Sequence, residues 1–160
     1  MADMHAGATL LYLREEELRL GVELMFYAQR DLAAALDEAL ARHRIGRAHH
    51  RALYFIGRNP EISVGGLLDI LRITKQSLSR VLGELLAAEL VGQRVGPRDR
   101  RQRLLTLTPR GVEVERELFE IQRARILGAY RAAGGPAVLG FREVLLALID
   151  DPAAAPPAAG

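Results

Sequence analysis

The chain contains no cysteine and no tryptophan, and only 5% of its 160 residues are aromatic. Without cysteine there can be no disulfide, thiolate metal site, cysteine nucleophile or cysteine redox sensor. The scarcity of aromatic rings makes base stacking an unsuitable main device for binding nucleic acid. No run of about 18 uncharged apolar residues occurs, and the N-terminal segment MADMHAGATL lacks the basic region of a signal peptide. We therefore expect a cytoplasmic protein with no membrane partner.

Lysine is also scarce, and the positive charge is concentrated in one segment. Of 22 basic residues only Lys75 is a lysine. Residues 72–110 contain nine basic and three acidic side chains, a net charge of +6, whereas the thirteen basic and seventeen acidic residues elsewhere give −4. A solvated surface usually mixes both signs, so this localised positive segment indicates a polyanion site. Apolar residues make up 49% of the chain, which suits one folded domain.

Residues 15–42 have the pattern of one long helix. Apolar or small side chains recur at four- and three-residue spacing, with Gln29 as an interruption, at Leu18, Val22, Met25, Leu32, Leu36 and Ala39. Such a stripe is typical of a core helix in a bundle, and in a small chain it also offers a dimer seam. A second helix is predicted over residues 47–57, ending at the turn Asn59-Pro60.

Two hydroxyl residues mark the starts of the next two helices. Ser63 is expected to cap a short helix, and Thr74 a helix that runs over residues 75–88. The second of these helices has an apolar face made of Leu78, Val81, Leu82, Leu85 and Leu86. Its opposite face carries Lys75, Gln76, Ser79, Arg80 and Gly83. That face has two cations and no acid, and a lysine in the first turn opposes the helix dipole unless an anion binds there.

A hairpin with a basic tip is predicted after this helix. Residues 90–95 and 102–107 alternate enough for two short strands, and Gly96-Pro97 favours a turn. The tip carries Arg98, Asp99, Arg100 and Arg101. Two helices joined by a tight turn, the second with a basic polar face, form a helix-turn-helix, and the hairpin makes it winged. Such a helix fits the major groove of DNA, and an arginine-bearing wing fits the minor groove.

Two helices are predicted on the C-terminal side of the hairpin. Thr108-Pro109 is expected to start the first of these helices, with Pro109 at the first helical position, where its missing N–H costs no hydrogen bond. That helix is expected to extend to about Ala133, and the last helix to occupy residues 136–150. The tail, residues 151–160, is rich in proline and alanine and is expected to be disordered.

The stretch ITKQSLSRVLGELLAAELVGQRVGPRDRRQRLLTLTPRG resembles the winged helix of the MarR family of bacterial transcription regulators. The matching pieces are TKQSLSR at the start of the basic-faced helix, DRR in the wing and LTLTPRG after it. The match covers about residues 47–111, and the flanking helices fit the family by pattern only. The segments RAHHRALYFIGRNP and TKQSLSRVL also resemble an alphaproteobacterial branch of the family.

The resemblance implies a mostly α-helical fold and a homodimer. Residues 47–108 would form the winged helix-turn-helix DNA-binding domain with a two-stranded β wing. Residues 15–46 and 109–150 would be dimerisation helices, and residues 1–14 an N-terminal arm. The dimer would bind double-stranded DNA at a pseudo-palindromic operator, as a repressor rather than an activator. No cofactor and no enzymatic activity are expected, and a small-molecule effector would modulate binding.

The resemblance also assigns DNA contacts. The predicted set is Lys75, Gln76, Ser77, Ser79, Arg80, Arg98, Asp99, Arg100 and Arg101. By the family pattern Gln76, Ser79 and Arg80 read bases or nearby phosphates, while Lys75 holds the DNA backbone. In the wing Arg101 would enter the minor groove, with its guanidinium oriented by a charge-assisted hydrogen bond to Asp99.

Two positions depart from the family pattern. Glu89 stands where the family usually has a glycine at the end of the recognition helix. A non-glycine residue in the left-handed conformation costs about 1 kcal/mol, so we expect this helix to end differently. Gly83 occupies a position that is commonly polar in the family.

The histidines and a few polar residues leave alternatives open. His5, His43, His49 and His50 include no pair four residues apart, so a metal- or haem-responsive regulator is a minor alternative. A ligand pocket formed with Tyr27, His50, Arg51 and Tyr54 rests on fold analogy alone, and simple packing is the plainer explanation for His50. A winged-helix protein-interaction module that does not bind DNA is a further alternative. No catalytic constellation points to an enzyme, and no metal ligands are assigned.

Overall fold

Residues 11–151, the part of the chain that the computed structural model describes, form seven α-helices, a short 3₁₀ turn and three β-strands. In chain order these are the 3₁₀ turn Leu11–Leu13, α1 (Glu15–Ala34), α2 (Asp37–Arg42), α3 (Arg47–Arg58), β1 (Ile62–Ser63), α4 (Val64–Leu71), α5 (Lys75–Ala87), β2 (Val91–Val95), β3 (Arg103–Leu107), α6 (Pro109–Ala133) and α7 (Gly135–Leu148). Most of the predicted N-terminal arm and of the predicted disordered tail lies outside the described residues. No helix in the described range is long and apolar enough to cross a membrane.

Three helices begin at the hydroxyl residues that their sequence indicates. The side chains of Ser63, Thr74 and Thr108 each accept the backbone N–H three residues further on, at 3.0, 3.1 and 2.9 Å. Each bond satisfies one of the N–H groups that a helix start leaves without a partner. These local bonds fix where α4, α5 and α6 begin, and therefore where the turns between them lie.

The wing belongs to a three-stranded antiparallel sheet with the order β1-β3-β2. Strands β2 and β3 form the predicted hairpin, with Val91 opposite Leu107 and Val95 opposite Arg103. Strand β1, which the sequence did not predict, pairs Ile62 with Leu105. This third strand ties the base of the wing to the segment between α3 and α4.

The core lies at the junction of the helix-turn-helix, the sheet and the first half of α6. Its fully buried side chains include Leu53 and Ile56 of α3, Leu85 of α5, Leu105 of β3 and Leu118 of α6. Burial of side chains of this size stabilises the fold by about 1.5–3 kcal/mol each. The wing and the helix-turn-helix therefore pack on the same hydrophobic core.

The single helix predicted over residues 15–42 is divided in two. Helix α1 ends at Ala34 and α2 begins at Asp37. Leu36 and Ala39, at the C-terminal end of the predicted stripe, are buried in the core. Val22, at its N-terminal end, is 64% exposed. The break turns α2 toward the core and leaves residues 15–31 of α1 exposed.

The end of α5 differs from the prediction made for it. Glu89 has φ 57°, so the left-handed conformation that usually favours glycine is adopted here by glutamate. Its N–H donates to Leu86 O at 3.1 Å, and the N–H of Leu90 donates to Leu85 O at 3.0 Å. The expectation of a different ending was wrong because these bonds, and the burial of Leu90, outweigh a strain of about 1 kcal/mol.

Candidate nucleic-acid interface

Helix α5 begins with a cap made by two hydroxyl residues. The N–H of Ser77 donates to Thr74 Oγ1 at 3.1 Å, and the Thr74 hydroxyl donates to Ser77 Oγ at 2.9 Å. No acidic residue occupies the first turn, and Lys75 stands there instead. Because the N-terminus of a helix favours negative charge, this end of α5 is suited to an anion such as a DNA phosphate. The Ser77 hydroxyl, part of the predicted contact set, is already used in the cap.

Helix α5 has one buried and one exposed face. The side chains packed into the core are Leu78, Val81, Leu82 and Leu85. The exposed residues include Lys75, Gln76, Ser79 and Arg80. Since the buried face fixes the rotation of the helix about its axis, the polar face is presented in one orientation.

The wing tip is held by backbone hydrogen bonds and by one aspartate. Gly96 N–H donates to Gln102 O at 3.0 Å, and Gln102 N–H donates to Asp99 O at 3.1 Å. The Asp99 carboxylate accepts the backbone N–H of Arg101 at 2.9 Å. This contact takes the place of the predicted one to the Arg101 guanidinium, because an aspartate readily bonds the N–H two residues on. Asp99 therefore positions Arg101 through the main chain.

The hairpin arginines differ in how free their side chains are. Three exposed arginines stand at the tip, Arg98, Arg100 and Arg101. Arg94 on β2 is engaged by Glu61, whose Oε1 accepts from Nε at 2.9 Å and from Nη2 at 2.5 Å. Arg103 donates to the backbone oxygen of Arg100 at 3.1 Å. The positive charge of the wing is thus concentrated at its tip rather than along β2.

Two histidines contact carboxylates. His49 Nε2 lies 2.5 Å from Glu84 Oε2, and His43 Nε2 lies 2.7 Å from Glu117 Oε2. The hydrogen bond from Arg42, followed by that of His43, lowers the pKa of the Glu117 carboxyl. Within residues 11–151 no three side chains of His, Asp or Glu are grouped as a metal site requires. His5 lies outside that range.

Glu84 is a residue that the sequence reading missed. It lies on α5 four residues after Arg80, and Arg80 Nη1 donates to its Oε1 at 3.4 Å. The i, i+4 spacing was a signal for this pair. Its other partner, His49, is 35 positions away in the sequence and gave no such signal.

His50 carries a buried ring nitrogen, Nε2, that has no hydrogen-bond partner among the described residues. Its side chain in α3 is 8% exposed. Burial, with a smaller contribution from the charge of Arg51, lowers the pKa of His50. Burial of this ring therefore favours its neutral form over its charged form.

The four predicted pocket residues are not brought together. His50, Arg51 and Tyr54 share α3, where the Tyr54 ring meets Phe55 edge-on with centroids 5.2 Å apart. Tyr27 lies on α1, exposed, with the Arg30 guanidinium 4.9 Å from its ring centre. A groove of about 790 Å³ lies between α1, α6 and α7, and none of the four residues lines it. Its apolar lining includes Met25, Leu32, Ile126, Val138, Phe141 and Leu145.

Comparison with known proteins decides the family. The MarR family model matches residues 45–102. The HTH-type transcriptional regulator PetP of Rhodobacter capsulatus is 53% identical over 152 residues, which cover 94% of this chain and 92% of that protein. The chain belongs to the MarR family. As a MarR-family member it is a DNA-binding transcription regulator rather than an enzyme.

Solved structures share its fold. A MarR variant from E. coli complexed with operator DNA has 21% sequence identity and a TM-score of 0.66, and the match covers 87% of this chain and 98% of that one. NadR in complex with 4-hydroxyphenylacetate has 22% identity and a TM-score of 0.69, over 78% of this chain and 88% of that one. These likenesses show a MarR-type winged helix-turn-helix with additional helices at both ends.

Proposed function

We propose that this MarR-family regulator binds a pseudo-palindromic operator as a homodimer, with α5 in the major groove and the wing tip in the minor groove. The observation that carries the proposal is the exposed face of α5. Arginine and glutamine are the side chains that form paired hydrogen bonds with guanine and adenine edges, and that face offers Gln76 and Arg80. Residues 47–108 would bind DNA, while residues 15–46 and 109–150 would join the two copies.

The flanking helices support a dimer. Every residue from 11 to 31 is exposed in the single chain, including Leu18 at 55% and Val22 at 64%. In α7, Phe141 and Leu148 are also exposed. A monomer rarely leaves so large an apolar surface uncovered, and a second copy covers it with two-fold symmetry. The groove between α1, α6 and α7 is where a helix of the partner would pack.

Light scattering at micromolar concentration should give a mass twice that of the chain. Val22→Glu should lower the mass toward that of one chain and abolish specific DNA binding, because it places charge on the apolar stripe of α1. Glu23→Lys is the control, a charge change on the polar side of the same helix that should leave the mass unchanged. A monomeric mass for the unmodified protein would contradict the proposal.

Asp99→Ala should weaken binding to a duplex selected by the protein from a random-sequence library. The loss should be about five- to tenfold, as for one hydrogen bond, since the contact that holds the Arg101 backbone is removed. Counterion release alone gives the opposite sign, because the variant is more positive. Asp99→Asn is the matched control, since its oxygen can accept the same N–H without the charge. The measurement is the dissociation constant at two salt concentrations.

Alanine substitutions of the wing arginines test the same contact between Asp99 and Arg101. Arg101→Ala should lose more affinity than Arg98→Ala or Arg100→Ala, although each removes one charge. The double variant Asp99→Ala/Arg101→Ala should be little weaker than Arg101→Ala, because the two residues act as one unit. Equal losses for the three arginines, together with tighter binding by Asp99→Ala, would mean that the wing is only a diffuse basic patch.

We infer, further, that the protein represses transcription and that a small effector relieves it. The support for an effector is His50 Nε2, a buried atom without a partner among the described residues, since such atoms in proteins are normally hydrogen-bonded. The bound 4-hydroxyphenylacetate of NadR makes aromatic carboxylates the first class to test. A reporter placed behind the selected operator should rise in expression when the gene is deleted and when an effector is added. Unchanged expression after deletion would contradict repression.

A further inference from the structure

A histidine side chain caps the N-terminus of α3. The N–H of Gly46, the residue that precedes the helix, donates to His49 Nδ1 at 3.0 Å. Glutamate or glutamine usually performs this reciprocal bond at the third helical position. Because Nδ1 accepts a hydrogen bond, it carries no proton, and the proton of the neutral ring is on Nε2. The cap therefore fixes both the tautomer and the orientation of the ring.

The proton on His49 Nε2 is directed to the DNA-reading helix. Nε2 donates to Glu84 Oε2, while the other oxygen, Oε1, accepts from Arg80 Nη1 at 3.4 Å. The His49 side chain is 12% exposed, and those of Glu84 and Arg80 are 50% and 66% exposed. The most buried side chain, His49, thus contacts the Glu84 carboxylate, and the other carboxylate oxygen lies 3.4 Å from the exposed Arg80 guanidinium.

Glu84 is unexpected beside Arg80 on a DNA-binding surface, because a carboxylate near phosphates opposes DNA binding. An exposed arginine–glutamate pair on a helix is worth little to stability and leaves both side chains free to rotate. With His49 attached, the glutamate loses that freedom during folding rather than during DNA binding. Ordering a side chain before binding raises affinity for the one partner that fits the ordered geometry.

We propose that His49 and Glu84 are positioning residues for sequence reading, in which His49 orients the Glu84 carboxylate and Glu84 orients the Arg80 guanidinium before DNA is bound. The proposal rests on the proposed role of Arg80 as a base-reading residue. It adds a specificity device that runs from the cap of α3 to α5.

The test measures dissociation constants for a library-selected duplex and for a mixed-sequence duplex of equal length, and takes their ratio as the specificity. Glu84→Ala should lower this ratio about five- to tenfold while binding to the mixed-sequence duplex stays equal or tightens. His49→Glu keeps an acceptor for Gly46 N–H but repels Glu84, so it should lower the ratio similarly. His49→Gln keeps the acceptor and supplies a donor for Glu84. The specificity ratio of this variant should therefore stay within about twofold of that of the unmodified protein.

The control is His43→Gln, which alters the histidine–glutamate contact between the segment after α2 and helix α6, away from α5. It should leave the specificity ratio unchanged. Glu84→Ala adds a good helix former at a half-exposed site and leaves the α3 cap intact, so this variant tests the proposal even where a His49 variant folds poorly.

Arg80→Ala distinguishes failure of the positioning role of Glu84 from failure of the base-reading role of Arg80. The double variant Arg80→Ala/Glu84→Ala should be no less specific than Arg80→Ala alone. If Arg80→Ala lowers the ratio but Glu84→Ala does not, the positioning role is overturned and Arg80 remains a reader. If Arg80→Ala leaves the ratio unchanged, the reading role of Arg80 fails and the positioning proposal fails with it.

Discussion

Gly111→Ala should destabilise the protein by about 3 kcal/mol or more, because overpacking against rigid backbone cannot be relieved by a side-chain rotation. A Cβ at this position would lie 1.9 Å from Leu90 O. That carbonyl accepts the N–H of Thr108 at 3.1 Å, and the Thr108 hydroxyl donates to Glu89 O at 2.6 Å. The first turn of α6 is thus pressed onto the segment that joins α5 to the wing. Since natural domains are stable by only about 5–15 kcal/mol, this one methyl group should shift the urea midpoint strongly.

Gly83→Ala is the control for this change. Gly83 lies inside α5, and a Cβ added there meets nothing within 4 Å. Alanine in an open helix interior should stabilise the protein by about 0.5–1 kcal/mol, so the two identical substitutions should have opposite signs. Both midpoints are measured at one protein concentration, because the stability of the proposed dimer would depend on it. Equal midpoints for Gly111→Ala and the unmodified protein would mean that α6 does not bear on the α5–wing segment.

The helix-turn-helix was readable from the sequence because its signals are local. Ser63, Thr74 and Thr108 each satisfy an N–H only three residues away, and all three helices start where those residues predict. The same holds for the apolar and polar faces of α5, which follow from helical spacing alone. The fold class was therefore predicted correctly.

Features that depend on distant residues were missed or misjudged. Strand β1 has two residues, too few to show alternation, and exists because β3 supplies its partner. The break after Ala34 has no glycine or proline to announce it, and it forms because Leu36 is drawn into the core. Glu89 adopts a left-handed conformation that its own side chain does not favour.

The candidate interface also combines features that local sequence predicted with contacts that it did not predict. The exposure of Gln76 and Arg80 followed from helical periodicity, whereas the contact of His49 with Glu84 joins two helices and has no sequence signature. The partner of Asp99 lies only two residues away, yet the sequence alone did not separate a bond to the Arg101 backbone from one to its guanidinium. In the structure the Asp99 carboxylate bonds the backbone, because an aspartate readily accepts the N–H two residues on.

Substitutions on the exposed face of α5 should have the largest effects on sequence reading. Gln76→Ala and Arg80→Ala should each weaken binding to the library-selected duplex by about 1–3 kcal/mol, as for the loss of a paired hydrogen bond to a base edge. They should also relax base preference, because the wrong base no longer loses a contact. Lys75→Ala should instead weaken selected and mixed-sequence duplexes alike, since a phosphate contact carries no sequence information. It should reduce the slope of log affinity against log salt by about 1.

Arg123→Ala serves as the matched control for charge. It removes one cation from an exposed site on α6, where Arg123 pairs with Glu120 at 3.1 Å, so it changes the net charge as Arg80→Ala does. Its effect on both duplexes should be small and nearly equal, because surface ion pairs contribute about 0–1 kcal/mol and this one lies outside the helix-turn-helix. The decisive quantity is the ratio of the two dissociation constants for each variant. If Gln76→Ala and Arg80→Ala leave this ratio at its original value while Lys75→Ala lowers it, then α5 reads sequence through Lys75. The assignment of base contacts to Gln76 and Arg80 would then have to be abandoned.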